Sequence, residues 1–194
     1  VAENDEDLLV QLERLLLLTD AIPLGLYECP SPYHRLFSAE LTHWAAQSGR
    51  FLYLKDTTCN PTAICAKLLQ IDGSMLRLYN ANTQSALCSL QAGAAGLSPI
   101  AANAYPEFFT WLCTHYATHP VEAQEMQQML TLLETNISLQ YPASAKVILQ
   151  QRGLPITTTF RNRTLEQNHN LTAMVESLLA TMVRMAERFQ ITLR

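Results

Sequence analysis

The sequence lacks the features that mark several large classes of protein. No cluster of lysine or arginine occurs in its 194 residues and the net charge is -4, so a nucleic-acid-binding surface is not expected. The apolar runs are short, with Leu15–Leu18 among the longest, whereas a membrane-spanning helix needs about 20 apolar residues. The sequence therefore predicts a protein that binds neither nucleic acid nor membrane.

Cysteine and histidine are also sparse and unpatterned. The five cysteines are odd in number and form no C-x-x-C pair, which predicts reduced, buried thiols in a cytoplasmic protein. His115 and His119 have a spacing that can hold a metal on a helix, but no carboxylate accompanies them and Pro120 follows. With only six glycines, the chain has no Gly-rich phosphate loop. We therefore predict no metal site.

What the chain does have is an alternation of helical patterns with short apolar strands. Strands are predicted at 22–27, 51–55, 75–79 and 96–101, each between helices, and from residue 106 onward only helices are predicted, at 106–118, 121–138, 142–152 and 165–190. Strict alternation implies a parallel sheet with right-handed crossovers. Four strands can form a small doubly wound sheet or half of an eight-stranded barrel. Val1 in place of an initial methionine favours the half-barrel.

A lysine near the end of the second predicted strand is the strongest chemical signal. Side chains alternate along a strand, so Phe51, Tyr53 and Lys55 share one face. In a barrel this face points inward, as does Tyr27 at the end of the preceding strand, and catalysis occurs at the carboxyl ends of such strands. A desolvated lysine favours its neutral form, which forms a Schiff base with a carbonyl carbon, and a nearby phenol can move the protons. The alternative is a structural lysine that leans into solvent.

Three segments together resemble the dihydrodipicolinate synthase / N-acetylneuraminate lyase family: Tyr27-Glu-Cys-Pro30, Phe51-Leu-Tyr-Leu-Lys-Asp-Thr-Thr58 and Gly96-Leu-Ser-Pro-Ile-Ala-Ala-Asn103. The resemblance implies an α/β fold, the (β/α)8 TIM barrel. This chain would supply the second half of the barrel in residues 1–118 and a C-terminal three-helix extension in 119–194. It would be the C-terminal two-thirds of a family member, and we expect the first strands and a G-T-T-G-E-type carboxylate-binding loop upstream of Val1.

The resemblance also implies a function and a site. Lys55 falls on the imine-forming lysine and Tyr27 on the catalytic tyrosine of a class I aldolase or lyase. Such an enzyme acts on pyruvate or another 2-oxo acid and an aldehyde, needs no metal or organic cofactor, and works as a homo-oligomer (dimer or tetramer). Ser98, Ile100, Asn80 and Arg35 are predicted to bind substrate; the alternative for them is a role in turns or barrel packing.

One departure narrows the substrate. Pro32 occupies the position where dihydrodipicolinate synthases carry an arginine, and the nearest arginine is Arg35. A 2-keto-3-deoxy sugar-acid aldolase or a related lyase therefore fits better than lysine biosynthesis. Two alternatives stay open: a catalytically inactive barrel homologue that binds a small oxo-acid or a protein partner, and an unrelated small α/β domain whose lysine is structural.

Overall fold

The computed structural model describes residues 4–138, 141–159, 161 and 169–193. The chain divides into two compact units, Val1–Ser98 and Pro99–Arg194. The boundary predicted between residues 118 and 119 separates the barrel half from its helical extension. The division into compact units does not test that boundary, which stays a prediction.

The first unit alternates helices with four parallel strands. Its elements are α1 (Asp5–Leu18), β1 (Leu24–Tyr27), α2 (Ala39–Gln47), β2 (Phe51–Asp56), α3 (Pro61–Ile71), β3 (Arg77–Asn80), a 3-10 turn (Thr83–Ser85), α4 (Ala86–Gln91) and β4 (Gly96–Leu97). The strands lie in the order β1-β2-β3-β4, and every neighbouring pair is parallel. This is the predicted arrangement: strand order follows chain order, as in part of a (β/α)8 barrel.

Side chains before the helices explain where they begin. Asn4 caps α1 by accepting a hydrogen bond from the Asp7 amide at 2.8 Å, and Ser38 caps α2 in the same way. Asn60 accepts from two amides of α3, and Pro61 occupies the first turn. Each of these short polar side chains satisfies a helical N–H that has no intrahelical acceptor.

The fourth strand is shorter than predicted. The sequence predicts a strand over 96–101, but β4 ends at Leu97 and Ile100–Asn103 forms a 3-10 turn. The Ser98 amide still donates to the Asn80 carbonyl at 2.8 Å. Pro99, which follows, has no amide hydrogen and cannot continue the ladder, so the strand stops there.

Helices α1, α2 and α3 cover one face of the sheet, here called the helix face. Leu26, Leu54 and Leu78 project from three strands into this layer and are almost fully buried with leucines and isoleucines of the helices. Phe51 was expected on the opposite face with Lys55, and this was wrong. Because the register of β1 against β2 shifts by one residue between Leu24 and Gly25, Phe51 lies opposite Leu24 and is buried in the helix-face core.

The second unit is helical in the residues that the structure describes. It contains the 3-10 turn Ile100–Asn103 and helices α5 (Pro106–His115), α6 (Pro120–Ser138), α7 (Ala143–Gln151) and α8 (His169–Arg188). The predicted start of the last helix, at residue 165, lies outside the described residues. Aromatic and aliphatic side chains form its core, among them Tyr105, Phe108, Leu112, Met126, Leu130 and Ile137. None of the helices in the described ranges has the length and hydropathy needed to cross a bilayer.

Candidate active site

Tyr27 and Lys55 lie side by side at the carboxyl ends of β1 and β2. The two residues are register partners in the parallel pair, and the Lys55 Nζ lies 4.8 Å from the centroid of the Tyr27 ring. They project from the face opposite the helices, here called the open face, since Leu26 and Leu54 beside them are buried in the helix layer. Tyr27 is 50% exposed and Lys55 is half-buried. An amine and a phenol are thus within reach of one small molecule.

The rest of the open face is built from tyrosines that lie over glycines. Tyr53 and Tyr79 stack with their ring centroids 4.7 Å apart. A Cβ on Gly96 would lie 3.1 Å from the Tyr79 ring, and one on Gly25 would lie 3.5 Å from Tyr53. The absence of a side chain at Gly96 therefore leaves room for the Tyr79 ring, whereas a Cβ at Gly25 would make only an ordinary contact with Tyr53. The open face presents an aromatic floor next to the amine.

A buried charge cluster lies on the helix face, directly behind this pair. Glu28 follows Tyr27, Asp56 follows Lys55, and both carboxylates are fully buried. Lys67 of α3 is 2% exposed and donates hydrogen bonds to both, at 2.6 Å to Asp56 Oδ2 and also to Glu28 Oε1. We call these three residues the Lys67 cluster.

Backbone amides complete the hydrogen bonding of the two carboxylates. Glu28 accepts from the Phe37 amide at 2.8 Å and from the Thr57 amide at 2.7 Å. Asp56 accepts from the Thr58 amide at 3.1 Å and from the Thr58 hydroxyl at 2.8 Å. Buried charges that are paired and fully hydrogen-bonded are the ones a fold can tolerate. The cluster thereby ties the loops after β1 and β2 to the ends of the strands.

Sequence reasoning did not find the Lys67 cluster, although a signal for it exists. Lys67 lies on the apolar stripe of α3 with Ile64, Leu68 and Ile71, all of which are buried. A lysine at a core position of an amphipathic helix needs a buried anion. Glu28 and Asp56, which directly follow the predicted strands 22–27 and 51–55, are the acidic residues that could have been proposed as its partners.

Asn80, predicted to bind substrate, has a structural role instead. Its side chain is fully buried, and its amide nitrogen donates to the Ser85 and Ser89 hydroxyls at 3.0 Å each, while its Oδ1 accepts from the Asn82 amide at 2.8 Å. These bonds build the turn from β3 into α4. The alternation of β3 places Asn80 with Leu78 on the helix face, away from Lys55.

The other three predicted substrate residues occupy different surroundings. Ser98 is half-buried one step beyond β4, and alternation places it on the same side as Gly96. Arg35 pairs with Asp5 at the start of α1. Ile100 is 37% exposed and belongs to the second unit. Of the three, Ser98 is the one that the strand geometry of the first unit puts on the open face; contact with substrate stays a prediction for all three.

The loop after β1 brings His34 to the same end of the strands. Its Nε2 is 2.8 Å from the Thr57 hydroxyl, and that hydroxyl donates to the Glu28 carbonyl at 2.6 Å. Thr57 and Thr58 bond to Glu28 and Asp56, and Asn60 caps α3. The imidazole is therefore anchored at the rim of the site, exposed to solvent.

The free cysteines include Cys59, close to Asp56. All five are free, but four are exposed rather than buried as predicted: Cys29, Cys59, Cys65 and Cys88. Burial of part of its surface raises the pKa of the Cys59 thiol, and the Asp56 carboxylate adds to this rise. A raised pKa lowers the thiolate fraction at neutral pH, so Cys59 is not activated for catalysis.

The two histidines of α5 and its following turn form an aromatic cluster. His115 stacks on Trp111 with ring centroids 4.7 Å apart, and His119 meets His115 edge-on. Within the described ranges, no group of three or more His, Cys, Asp or Glu side chains is placed to hold a metal ion.

Comparison with solved structures relates this fold to known proteins. The 4-hydroxy-tetrahydrodipicolinate synthase of Methylacidiphilum fumariolicum SolV matches with a TM-score of 0.82 at 17% identity, over 96% of this chain and 62% of that chain. The dihydrodipicolinate synthase of Thermotoga maritima matches with a TM-score of 0.78 at 17% identity, over 92% and 61%.

A third structure contains a small-molecule ligand. A prophage protein of the dihydrodipicolinic acid synthase family from E. coli K12, solved in complex with pyruvate, matches with a TM-score of 0.79 at 17% identity, over 93% of this chain and 62% of that chain. No protein-family model and no curated protein matches the sequence. The chain spans about three-fifths of the length of these solved relatives, and over that length it has the fold of a dihydrodipicolinate synthase subunit.

Proposed function

We propose that this chain carries the imine-forming lysine of a class I aldolase or lyase of the dihydrodipicolinate synthase family. The observation that supports this most directly is the contact between the Lys55 amine and the Tyr27 ring on the open face, at the carboxyl ends of two adjacent parallel strands. Parallel α/β proteins carry their chemistry at this end. The substrate would be pyruvate or a longer 2-oxo acid, with an aldehyde as the second reactant.

In the proposed reaction Lys55 attacks the ketone carbon as a neutral amine. The addition gives a carbinolamine, which loses water to form the imine. Loss of a proton, or of an aldehyde in the cleavage direction, converts the imine into an enamine, and addition of the enamine to an aldehyde is the reverse. No metal or organic cofactor takes part in these steps.

Tyr27 would supply and remove the protons that these steps require. Its ring lies beside the amine, which makes Tyr27 the phenol proposed to exchange protons with the carbinolamine oxygen of a substrate bound to Lys55. Ser98 is proposed to contact the substrate from the neighbouring strand end. Pro32, in place of the arginine of dihydrodipicolinate synthases, supports a sugar-acid type of second substrate.

Reductive trapping tests the proposal. The full-length protein is incubated with pyruvate and borohydride, and the digested peptides are weighed. These 194 residues contain three lysines, Lys55, Lys67 and Lys146, so the peptide masses distinguish an adduct at Lys55 from one at the other two. We expect the pyruvyl mass on the peptide containing Lys55. Lys55→Ala should abolish the adduct, while Lys146→Ala, which removes an exposed amine of the second unit, should retain it.

The result also separates the alternatives. An adduct at Lys55 with turnover of a 2-keto-3-deoxy sugar acid would support the proposed class. A protein that binds pyruvate without an adduct would instead be the inactive homologue, and Lys55→Ala with full turnover would overturn the assignment. Homo-oligomeric assembly and a cytoplasmic location stay predictions.

A further inference from the structure

The Lys67 cluster is arranged so that a single ammonium connects the two residues that follow Tyr27 and Lys55. Glu28 and Asp56 come from different strands, and Lys67 is separated from them by 39 and 11 positions in sequence. All three side chains are at least 98% buried. Because neighbouring residues on a strand point to opposite faces, each carboxylate is the direct backbone continuation of an open-face residue.

We propose that Lys67 is a positioning residue for the Tyr27–Lys55 pair and acts through Glu28 and Asp56. The proposal rests on the function proposed above. By holding both carboxylates, Lys67 sets how far the end of β1 can slide or twist against the end of β2. That relative position determines the separation between the Lys55 amine and the Tyr27 ring.

The pair projects from the last residues of two strands. Tyr27 is half exposed, and exposed side chains change rotamer on the picosecond to nanosecond timescale. The two strand ends share the hydrogen bond from the Glu28 amide to the Lys55 carbonyl, which is 3.3 Å long, and the strands end there. The hydrogen bonds of the Lys67 cluster on the helix face add a second link between the same two strand ends.

The hydrogen bonds of the cluster are suited to that task. Charge-assisted bonds of 2.6 to 2.8 Å are directional, and here they join three separate segments: α3, the end of β1 and the end of β2. A buried ion pair contributes little net stability compared with an apolar contact of the same size, and in some proteins buried ionic groups select one arrangement among several. An apolar residue at position 67 would fill the space but would not define the position of either strand end.

The balance of charges also indicates that the cluster holds the strand ends in place and does not only neutralise a buried charge. Two carboxylates share one ammonium, and the remaining negative charge is met by amides of Phe37, Thr57 and Thr58. These amides belong to the loops after β1 and β2, which form the rim of the site. The cluster therefore fixes the strand ends and the rim loops as one body.

The test uses three variants and a matched control. Lys67→Met removes the ammonium, Glu28→Gln keeps the shape but replaces one acceptor oxygen by an NH2 group, and Lys67→Arg restores a cation. The control is Leu68→Ala, which loosens the same helix at the adjacent buried position without touching the cluster. Circular dichroism establishes which variants are folded at the assay temperature.

Two readouts are measured. The first needs no substrate: lysines are reductively methylated with ¹³C-formaldehyde, and the Lys55 N-methyl signal, assigned with Lys55→Ala, reports the ring-current shift from Tyr27. The second is the rate of borohydride-trapped pyruvate adduct formation at Lys55 as a function of pyruvate concentration.

We expect Glu28→Gln and folded Lys67→Met to lose most of the ring-current shift. Their rate of adduct formation at saturating pyruvate should fall by about 100-fold, the loss expected from a misplacement of about 1 Å. The half-saturating concentration should stay unchanged, Lys67→Arg should recover part of the rate, and Leu68→Ala should behave as wild type.

A wild-type shift and rate in folded Glu28→Gln or Lys67→Met would overturn the positioning role, and so would an equal loss in Leu68→Ala. If Lys67→Met does not fold, Glu28→Gln decides. If the wild-type protein forms no adduct, the proposed function fails, while the ring-current shift still decides whether the cluster positions Lys55 over Tyr27.

Discussion

The two faces of the sheet use the same kinds of side chain in opposite ways. On the open face, Lys55 is half-buried beside a half-exposed Tyr27. On the helix face, Lys67 is fully enclosed between Glu28 and Asp56. One lysine is available to a ligand, while the other has its ammonium committed to two carboxylates. A single residue step along β1 or β2 separates the open face from the helix face.

Under the proposed function, this difference would let a strand end be both reactive and well positioned. An imine-forming amine would need access to substrate and therefore could not be enclosed by packing. The next residue in sequence is buried and can carry the restraint, because the peptide backbone between them is stiff. Four predictions test this comparison, in order of decreasing effect.

The same substitution at Lys67 and at Lys55 should lower the free energy of unfolding by very different amounts. Lys67→Met leaves two buried carboxylates without their cation, and we expect the free energy of unfolding to fall by about 3–5 kcal/mol. Lys55→Met removes a half-buried amine on the open face and should change it by less than about 1 kcal/mol. Urea denaturation followed by circular dichroism measures both, and similar losses for the two variants would contradict the comparison.

Two uncharged residues of β2 should show the same difference in stability between a buried and a half-buried position. Leu54 is fully buried among the helices, and Leu54→Ala should cost about 2–5 kcal/mol through lost burial and the cavity left behind. Leu52, at the register shift, is half-buried, so Leu52→Ala should cost clearly less. Equal costs by urea denaturation would mean that the register shift does not orient this strand as described.

A buried hydroxyl of the second unit contrasts with the hydrogen-bonded charges of the Lys67 cluster. Tyr105 of the second unit is fully buried, and in the described residues its hydroxyl has no hydrogen-bond partner. Burial raises the pKa of the Tyr105 phenol, and the Glu134 carboxylate raises it further. The folded protein therefore holds this proton at a pH where the unfolded chain, with a tyrosine pKa of about 10, has lost it.

The sign of the pH dependence follows. Above about pH 10 the unfolded state binds fewer protons than the folded state, so stability falls as pH rises, by about 1.4 kcal/mol per pH unit for this group. Tyr105→Phe should lack this contribution and should be equal to or more stable than wild type at pH 7. The measurement is the difference in unfolding free energy between wild type and Tyr105→Phe from pH 7 to 11; a constant difference would refute the prediction.

The smallest effect distinguishes two glycines of the open face. A Cβ at Gly96 would lie 3.1 Å from the Tyr79 ring, so Gly96→Ala must displace the ring and should cost about 1 kcal/mol. At Gly25 the nearest atom would be 3.5 Å away, which is an ordinary contact, so Gly25→Ala should be neutral or slightly stabilising. Thermal melting of both variants checks the order, and the reverse order would count against the stacked arrangement of Tyr53 and Tyr79.

Much of the first unit could be predicted because its signals are local. The alternation of apolar runs with capped helices predicted four parallel strands, and the period of two predicted that Tyr27 and Lys55 share a face. Asn80 was misjudged because its position at a strand end suggests a pocket residue. Its orientation toward the helices depends on the register of β3, and its amide is used by serines five and nine residues later.

What the sequence by itself determined is the periodicity: which residues form strands, which helices alternate with them, and that an amine and a phenol end neighbouring strands on one side. Only the tertiary structure decided the shift that turns Phe51 toward the helices and the meeting of Lys67 with Glu28 and Asp56. The physical reason is the sequence separation over which the interactions act. Backbone alternation and capping act over a few residues, whereas the register between strands and the partner of a buried charge depend on segments brought together by folding.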